Sequence, residues 1–363
     1  MAQDPNSRAG AAKIKIKING TDVPDDEVIR FVVDQDLNQP WMAVITLQNK
    51  GHRHSNAHAQ GDSVEVQVTD QNTCIFKGEL VGLEPTYEAG GESKCVVRAF
   101  DKLHRLLRGR KSRTFQKQSD NDIVNAIVGD HGLSAQCDSD VNIKHEHVYK
   151  HAQNDLEFLR IRAARIGYAV WVEDSTLHFK KPKTDQDSGI ELKISKNPGT
   201  GHRIKKAGFR SSSAAVVNSV EVRGWDPEKK EAISGVVNAQ SSKLGATNAA
   251  GAANPFGQAK TVTVDHPIRS VEEAKAIAQS KLDDASMSFI TGEAECIGHP
   301  DFKPGIVVKI IVDETTTDNL FNGKYFLTGC AHMYSHGGGG HGASAQGGYT
   351  TVLKLARDAQ KGQ

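Results

Sequence analysis

Short segments in which apolar and polar residues alternate fill the first third of the chain, and they constrain its fold most. Residues 13–19 place an isoleucine at every second position, and residues 63–68 repeat the pattern with valines. Alternation with a period of two is typical of a strand that buries one face. Further strands are predicted at 41–47, 74–83 and 94–100, the last two separated by a hairpin-type loop at 88–92. Several short strands at this spacing predict a closed barrel, which leaves no free sheet edge.

The middle third changes to helical patterns. Residues 119–122 carry N-cap chemistry, and the apolar residues that follow fall on one helical face before Gly129. Asn154 can cap a second helix, whose apolar residues recur at helical spacing until Gly167 ends it. A hairpin is predicted at 169–179. Two helices and a hairpin predict a small α+β unit.

The last third returns to strands, predicted at 216–224, 288–298, 306–312, 325–333 and 349–356. One helix is predicted between the strands at 216–224 and 288–298, because Ser270 and Glu273 form a capping-box pattern. Residues 234–260 are rich in Ala, Gly, Ser and Asn, and residues 336–348 contain four consecutive glycines. Both segments are predicted to be long loops.

These patterns predict a β-rich α+β protein with two related β-barrel domains joined by a small α+β insert. The predicted boundaries are a flexible N-terminus at 1–11, a first barrel at 12–113, an insert at 114–185 and a second barrel at 186–363. The two long loops lie in the second barrel domain.

Composition excludes several classes of function. Lys and Arg number 45 and Asp and Glu number 44, a net charge of +1, which argues against attraction to nucleic acid or membranes as the main activity. No apolar run approaches the roughly 20 residues of a membrane span, and the polar N-terminus lacks the apolar core of a signal peptide. We therefore expect synthesis in the cytoplasm and no membrane anchor. The five cysteines are odd in number and include no CxxC pair, and four of them sit in strand-like apolar contexts, which indicates reduced, buried thiols.

The strand at 94–100 runs straight into a basic segment, and this feature begins a longer pattern. Its first residues are Phe100, Asp101, His104 and Leu106, and its later ones are Gly167, Trp225, Asp226, Pro227, Asp265, His266, Pro267, Pro304 and Gly305. Their order and spacing resemble the phage late control protein D family, which includes tail hubs and the hub part of VgrG spikes. The resemblance extends from about residue 14 to residue 357.

The resemblance implies a homotrimeric hub at the distal end of a contractile tail tube. Three subunits would present six barrels in a trimeric ring with pseudo-sixfold symmetry, so that a trimeric spike meets a hexameric inner tube. The implied partners are a spike protein, the inner tube protein and baseplate wedge proteins. No oligonucleotide-binding-like domain or β-helix repeat follows the last predicted strand, so we expect the spike to be a separate protein. The implied location is a phage tail or a contractile injection particle, which can be released from the cell.

Such a hub is a structural protein, with no catalytic residue and no cofactor. Two alternatives from other classes stay open: a tail-associated cell-wall hydrolase, which needs a pair of carboxylates, and a carbohydrate- or metal-binding module. The sequence contains no Gly-x-Ser-x-Gly nucleophile motif and no phosphate-binding loop. We interpret Asp101 as a cap for the turn that follows it and Phe100 as a side chain that fills the barrel.

A basic run without acidic residues follows the strand at 94–100. It could bind nucleic acid or line a cargo passage, form a solvated helix face, or contact an acidic neighbouring subunit or partner, which we favour. Nucleic acid is not expected as a partner, because the run lacks interleaved aromatic residues. The candidate contact residues are Arg105, Arg108, Arg110, Lys111 and Arg113.

Three histidines and one tryptophan are candidates for more specific roles. His145, His147 and His151 have a spacing that could bind zinc, but polar residues of the Lys, Arg, Asn and Gln types surround such histidines, and we favour polar loop histidines over a metal site. Trp225, next to an Asp-Pro turn, is predicted to be a buried packing anchor at the end of a strand.

Overall fold

The structure is a computed structural model, and it describes residues 13–69, 72–89, 93–141, 143–194, 201–226, 229–264, 268–315, 319–336 and 348–361. These residues form 23 strands and five α-helices, which confirms the β-rich α+β class. The predicted flexible N-terminus lies outside the described residues, as does most of the loop at 336–348 and part of the loop at 88–92. None of the helices in the described ranges has the length and apolarity to cross a bilayer.

The first third folds into an antiparallel sheet around its own core. Its elements are β1 (Ile14–Ile18), β2 (Thr21–Asp22), β3 (Val28–Asp36), β4 (Met42–Gln48), α1 (Arg53–Ala57), β5 (Ser63–Val68), β6 (Thr73–Thr86) and β7 (Lys94–Phe100). The strands pair in the order β2-β1-β5-β6-β7-β4-β3. Ile14 pairs with Val68 and Ile18 with Val64, and all four side chains are buried, as the alternation predicted.

The insert packs two helices against short strands. Its elements are β8 (Lys111–Ser119), α2 (Asp120–Gly129), β9 (Ser134–Cys137), β10 (Lys144–Gln153), α3 (Asp155–Arg165), β11 (Ala169–Glu173) and β12 (Thr176–Lys180). Ser119 and Asp122 form a reciprocal capping box, and the Asn154 side chain accepts a hydrogen bond from the Glu157 N–H at 2.7 Å. Both predicted caps are therefore confirmed. Gly167 follows α3 with a φ of +70°, the left-handed conformation that ends helices.

The last third contains a closed barrel. Its elements are β13 (Asp187–Lys193), β14 (His202–Ser211), β15 (Ser219–Asp226), β16 (Glu231–Asn238), β17 (Thr247–Asn248), α4 (Ala249–Ala252), β18 (Lys260–Thr263), α5 (Val271–Met287), β19 (Ile290–Ile297), β20 (Val307–Ile311), β21 (Gly323–Ser335), β22 (Gly348–Arg357) and β23 (Ala359–Gln360). Six strands pair in the order β21-β20-β13-β14-β19-β22, and β22 pairs back to β21. The ring of hydrogen bonds therefore has no free edge.

One strand pair joins the first sheet to this barrel. β3 pairs antiparallel with β21, with Val33 opposite His332, so both parts belong to one 13-stranded sheet. Backbone hydrogen bonds fix the two parts to each other, and the junction does not depend on side-chain packing alone.

A separate core lies between β14 and β19 in the sequence. β16, β15 and β18 form a three-stranded sheet, and α5 packs on one of its faces. Val220 and Val222 of the sheet contact Ile277, Ala278 and Leu282 of the helix in this core. The predicted cap of α5 is present, since the Ser270 hydroxyl accepts a hydrogen bond from the Glu273 N–H at 3.0 Å.

This small unit shows that the predicted long loop at 234–260 is wrong. Much of β16 and the first residue of β18 fall within it. A Cβ on Gly235 would lie 2.6 Å from the backbone nitrogen of Lys275 and 2.7 Å from the Cβ of Ala274. Glycine at this position therefore lets α5 approach β16 closely, whereas the composition of the segment alone predicted a loop.

The cysteines are free thiols in different surroundings. Cys95, Cys296 and Cys330 are buried, which confirms the prediction for these three. Cys137 is half-buried and Cys74 is exposed, so the prediction of burial is wrong for Cys74.

Candidate functional site

The turn after β7 is the first of two junctions at which predicted motif residues meet. Asp101 is 2% exposed, and its carboxylate accepts hydrogen bonds from the Leu103 N–H at 2.9 Å and the Trp41 N–H at 3.0 Å. The predicted capping role of Asp101 is thereby confirmed. Burial raises the pKa of Asp101 to about 7, against the effect of the two N–H donors.

The segment beyond Asp101 connects the first sheet to the insert. A 3-10 helix spans Lys102–Leu107, and its buried residues Leu103 and Leu106 belong to the core of the insert. The interpretation of Phe100 as a barrel-filling side chain is wrong. Alternation along β7 turns Val97 and Ala99 into the first core and leaves Phe100 half-buried on the other face, where its ring stacks on His104 at 6.2 Å.

Part of the basic run is used inside the chain. Arg105 binds the carboxylate of Glu79 through two nitrogens, one of them at 3.0 Å, and donates to the carbonyl oxygen of His131 at 3.3 Å. This guanidinium lowers the pKa of Glu79. Nδ1 of His104 lies 2.7 Å from the carbonyl oxygen of Asp101. Arg105 therefore ties β6 to the insert.

The remaining basic residues lie nearer to solvent. Arg113 pairs with Asp130 at 2.9 Å, and Arg110 lies 3.6 Å from Glu157. Exposed pairs of this kind contribute little stability and can exchange for partners on another chain. Arg108 and Lys111 are exposed. The predicted contact role of the run stays a prediction.

The three candidate zinc histidines do not converge. His145 is half-buried and points into the insert, whereas His147 and His151 are exposed on the same strand. Across the part of the chain that the structure describes, no three His, Cys, Asp or Glu side chains are grouped closely enough to hold a metal ion. The favoured interpretation of His145 changes, because it is a member of a buried ionic network.

That network forms the second junction, between the insert and α5. Nε of Arg162 donates to Asp120 at 2.6 Å, and another nitrogen of Arg162 lies 2.7 Å from Nε2 of His145. The same ring nitrogen also lies 3.3 Å from the Asp120 carboxylate, and Nδ1 of His145 lies 3.9 Å from the carboxylate of Glu273. Arg165 donates to Glu273 at 2.6 Å.

Opposite charges offset the cost of burial in this network. Burial alone would raise the pKa of Asp120, but His145 and Arg162 outweigh it and lower the pKa. The sequence identifies Glu273 as part of a helix cap but gives no sign of its partners in this network. A charged residue within an apolar helical stripe, as Arg162 is between Leu159 and Ala163, was the available signal.

A further polar network surrounds His332, on the part of β21 that pairs with both β3 and β22. His332 is fully buried; its Nε2 lies 3.0 Å from the carbonyl oxygen of Phe302, and its Nδ1 lies 2.7 Å from the hydroxyl of Tyr349 and 3.1 Å from that of Thr351. A carbonyl only accepts, so Nε2 carries the proton and the imidazole is neutral. Burial lowers the pKa of His332 to about 4.

Two more imidazoles lie beside Phe302. The rings of His202 and His299 are 4.5 Å apart, and each lies within 6 Å of the Phe302 ring. Burial, then His299, lowers the pKa of His202 to about 4. Burial also lowers the pKa of His299, against the carboxylate of Asp301. The cluster therefore favours neutral histidines beside Phe302 of the barrel core.

The other predicted motif residues are dispersed over the fold. Pro304 is buried and Gly305 donates to the Leu327 carbonyl at 2.8 Å, so this pair starts β20 against β21. Gly167 lies against Ser280 of α5. Asp226 accepts a hydrogen bond from the Lys229 N–H at 3.1 Å. Pro227, like 265–267, lies outside the described residues.

The prediction that Trp225 is a buried anchor is wrong, since the side chain is 58% exposed. Val220, Val222 and Gly224 turn toward α5 and the residues before it, and alternation along β15 places Trp225 on the opposite face.

A cleft of about 1110 Å³ lies where the insert, α5 and the barrel meet. Its wall includes Asp283 and Asp284 of α5, Asp358 beyond β22, and Lys181 and Lys243. Burial raises the pKa of each of these three carboxyl groups. The insert, α5 and the barrel therefore leave open space between them at this cleft.

The sequence matches one family of known proteins. A family model described as the Alg8 N-terminal domain matches residues 8–336. None of the curated proteins compared with the sequence matches it.

Solved structures of tail proteins have this fold over almost the whole chain. The tail protein from Neisseria meningitidis MC58 has a TM-score of 0.69 at 15% identity, covering 95% of this chain and 96% of its own. The 43 kDa tail protein of prophage MuSo2 from Shewanella oneidensis has a TM-score of 0.68 at 14% identity, covering 96% of this chain and 99% of its own.

A secretion-system protein is also similar. An Escherichia coli protein, described as a component of the type VI secretion system with structural similarity to the T4 bacteriophage tail proteins gp27 and gp5, has a TM-score of 0.61 at 14% identity. The alignment covers 94% of this chain and 76% of that protein. At identities this low, the structural similarity shows that the chain has the fold of these tail proteins, and its function has to be argued separately.

Proposed function

The chain belongs to the Alg8 N-terminal domain family, and we propose that it is the structural hub of a contractile tail or injection apparatus. The observation that carries the proposal is the fold: a sheet-wrapped core and a closed barrel share one 13-stranded sheet, and two phage-type tail proteins match it from end to end. The hub adapts a trimeric spike to the hexameric inner tube and acts mechanically, without a catalytic step.

In the proposed assembly, three copies form a ring in which the first sheet (12–113) alternates with the second barrel (186–363). Each part has six longer strands, which supports six similar positions around the ring. A head-to-tail ring of three copies closes on itself and can present threefold symmetry on one side and pseudo-sixfold symmetry on the other.

The insert (114–185) and the exposed part of the basic run face neighbouring chains in this proposal. Arg108 and Lys111 are exposed, and Arg110 and Arg113 hold exposed carboxylates that a neighbour's acidic side chains can replace. The proposed partners are a separate spike protein, the inner tube protein and baseplate wedge proteins. The particle is a phage tail or a contractile injection system.

Light scattering on the purified chain, alone and mixed with spike and tube proteins, tests the proposal. A mass of three times 39.3 kDa for the chain alone, or three copies of the chain in the complex with the spike, supports the hub. A stable dimer contradicts it, because two copies cannot match threefold and sixfold faces. A chain that stays monomeric with both partners present also contradicts it.

A further inference from the structure

The small sheet of β16, β15 and β18 has one covered and one open face. Val220 and Val222 of β15 belong to the core with α5. Glu221 alternates with them and therefore lies on the face turned away from the helix. Val236 of β16 and Val262 of β18 pair directly with Glu221, so they share this open face.

Apolar side chains are concentrated on the open face. Trp225 is 58% exposed and Val264, which follows β18 directly, is 70% exposed; Val236 and Val262 are each about half exposed. Of the eleven large apolar side chains that the described residues expose, these four lie on this one sheet face or directly beyond it. Scattered exposed apolar residues are ordinary, but a group on one sheet face marks an interaction surface.

A positively charged cluster lies at the centre of this face. Glu221 is buried and accepts hydrogen bonds from Nε of Arg223 at 2.6 Å and from the Ser234 hydroxyl at 3.0 Å, while Nζ of Lys260 lies 2.5 Å away. The bond from Arg223, and then that from Lys260, lower the pKa of Glu221 to about 2. One carboxylate between two cations leaves an excess positive charge, and both cationic side chains remain about half exposed.

We propose that the open face seats one amphipathic helix of a partner protein, whose apolar stripe carries a carboxylate near its centre. Neighbouring strands lie about 4.8 Å apart, so three strands span roughly the 10 Å diameter of one helix. α5 already covers the other face in this way, and a second helix completes a layer on each side.

The carboxylate in the partner follows from the charge of the face. Covering Arg223 and Lys260 with a purely apolar surface would bury a net positive charge, which is unfavourable without a counter-charge. A carboxylate between the two cations supplies that charge and accepts further hydrogen bonds from the guanidinium, which has five N–H donors.

This inference goes beyond the hub proposal and depends on this one surface alone. A peptide test on the purified full chain examines it directly. The probe is a helical peptide of about 18 residues, or five turns, with a leucine stripe and one central Glu; its twin carries Lys at that position. Binding is measured by anisotropy of the labelled peptide and by the tryptophan emission of the chain, to which exposed Trp225 contributes together with Trp41 and Trp171.

The Glu peptide is expected to bind about tenfold more tightly than the Lys peptide, and a blue shift of tryptophan emission should accompany binding. Val262→Asp should weaken the binding of the Glu peptide by about tenfold or more, because it places a second negative charge on the apolar surface. Ile161→Asp is the matched control, since Ile161 is also about half exposed but lies on α3. Circular dichroism confirms that both variants fold.

Three outcomes overturn the inference: equal affinity for the two peptides, unchanged binding by Val262→Asp, or no binding of either peptide. Self-association of the chain that Val262→Asp abolishes, without peptide binding, would assign the face to a second copy and also overturn it. Failure of the peptide test leaves the mass of the assembled hub unaffected, so the two proposals fail separately.

Discussion

Acid should destabilise the fold around β21, and protonation of His332 should account for much of this effect. His332 lies on β21 opposite β3, with the hydroxyls of Tyr349 and Thr351, the Phe302 carbonyl and the Cys330 thiol around its ring. Each ring nitrogen has a partner suited to the neutral imidazole. A proton on Nδ1 would bring a full charge into a site that is closed to water.

The magnitude follows from the shift of the pKa. Burial lowers the pKa of His332 from 6.5 to about 4, so the unfolded chain takes up this proton first. The stability is fully present above pH 6.5 and is lost as the pH falls toward 4. The linked change in the free energy of unfolding is about 2 kcal/mol at pH 5 and about 3 kcal/mol below pH 4.

Other groups titrate over the same range, so one variant must be compared with another. Asp101 acts in the opposite direction: its pKa is raised to about 7, the folded chain takes up its proton first, and stability increases as the pH falls from 7 to 3.8. His202 acts in the same direction as His332. Both groups remain in a His332→Gln variant, and the difference between the two proteins isolates His332.

Urea unfolding at a series of pH values between 7.5 and 4.5 measures this difference. His332→Gln is expected to be less stable at pH 7.5, because an amide replaces only part of the hydrogen bonding. Its stability should fall less steeply, by about 1 kcal/mol per pH unit between pH 6 and 5. His147→Gln on exposed β10 is the control. If the curves of His332→Gln and the wild type run parallel, the reasoning is refuted.

Three further substitutions test the packing argued above. Asp101→Asn should cost about 1–3 kcal/mol, because an amide cannot accept from both buried N–H groups. Gly235→Ala should cost about 1–3 kcal/mol, because its Cβ would meet the backbone of α5 at 2.6 Å. Glu273→Gln should cost about 3 kcal/mol, because it leaves the Arg165 guanidinium without its carboxylate in a buried network. Urea unfolding at pH 7.5 measures all three.

For each of these substitutions, one result would contradict the prediction. If the Asp101→Asn protein is as stable as the wild type, the two N–H groups find other acceptors. Gly208→Ala is the control for Gly235→Ala, since nothing lies within 4 Å of the position that its methyl group would take; equal losses would show that the approach of α5 is not the cause. A loss of less than about 1 kcal/mol for Glu273→Gln would mean that the Arg165–Glu273 pair stabilises the fold no more than an exposed ion pair does.

Local features could be predicted from the sequence because their causes are local. Ser119 and Asn154 cap helices through N–H groups three residues away, and the isoleucines of β1 reveal their buried face by alternation. The pattern around Asp101 predicted a capped turn for the same reason. None of these signals depends on a distant part of the chain.

Long-range arrangements could not be predicted in this way. Arg165 and Glu273 are 108 residues apart, and nothing near either residue indicates the other. Trp225 shows the same limit, because its burial depends on which face of β15 receives α5. Gly235 was interpreted as loop because composition does not distinguish a flexible segment from a strand against which a helix packs.

The pairing of the first sheet with the barrel and the attachment of the insert resist force by different means. This difference matters for a protein proposed to move with a contracting tail. β3 and β21 are joined across seven residue pairs of backbone ladder. The insert is held mainly by side chains, through Arg165 on Glu273 and the Ser280 hydroxyl on the Ala164 carbonyl. Asn38 adds one backbone bond, from its N–H to the Val170 carbonyl at 2.9 Å, and its side chain accepts from the Val170 N–H. Backbone pairing breaks cooperatively, whereas side-chain contacts can open one at a time. The insert should therefore separate from α5 before the first sheet separates from the barrel.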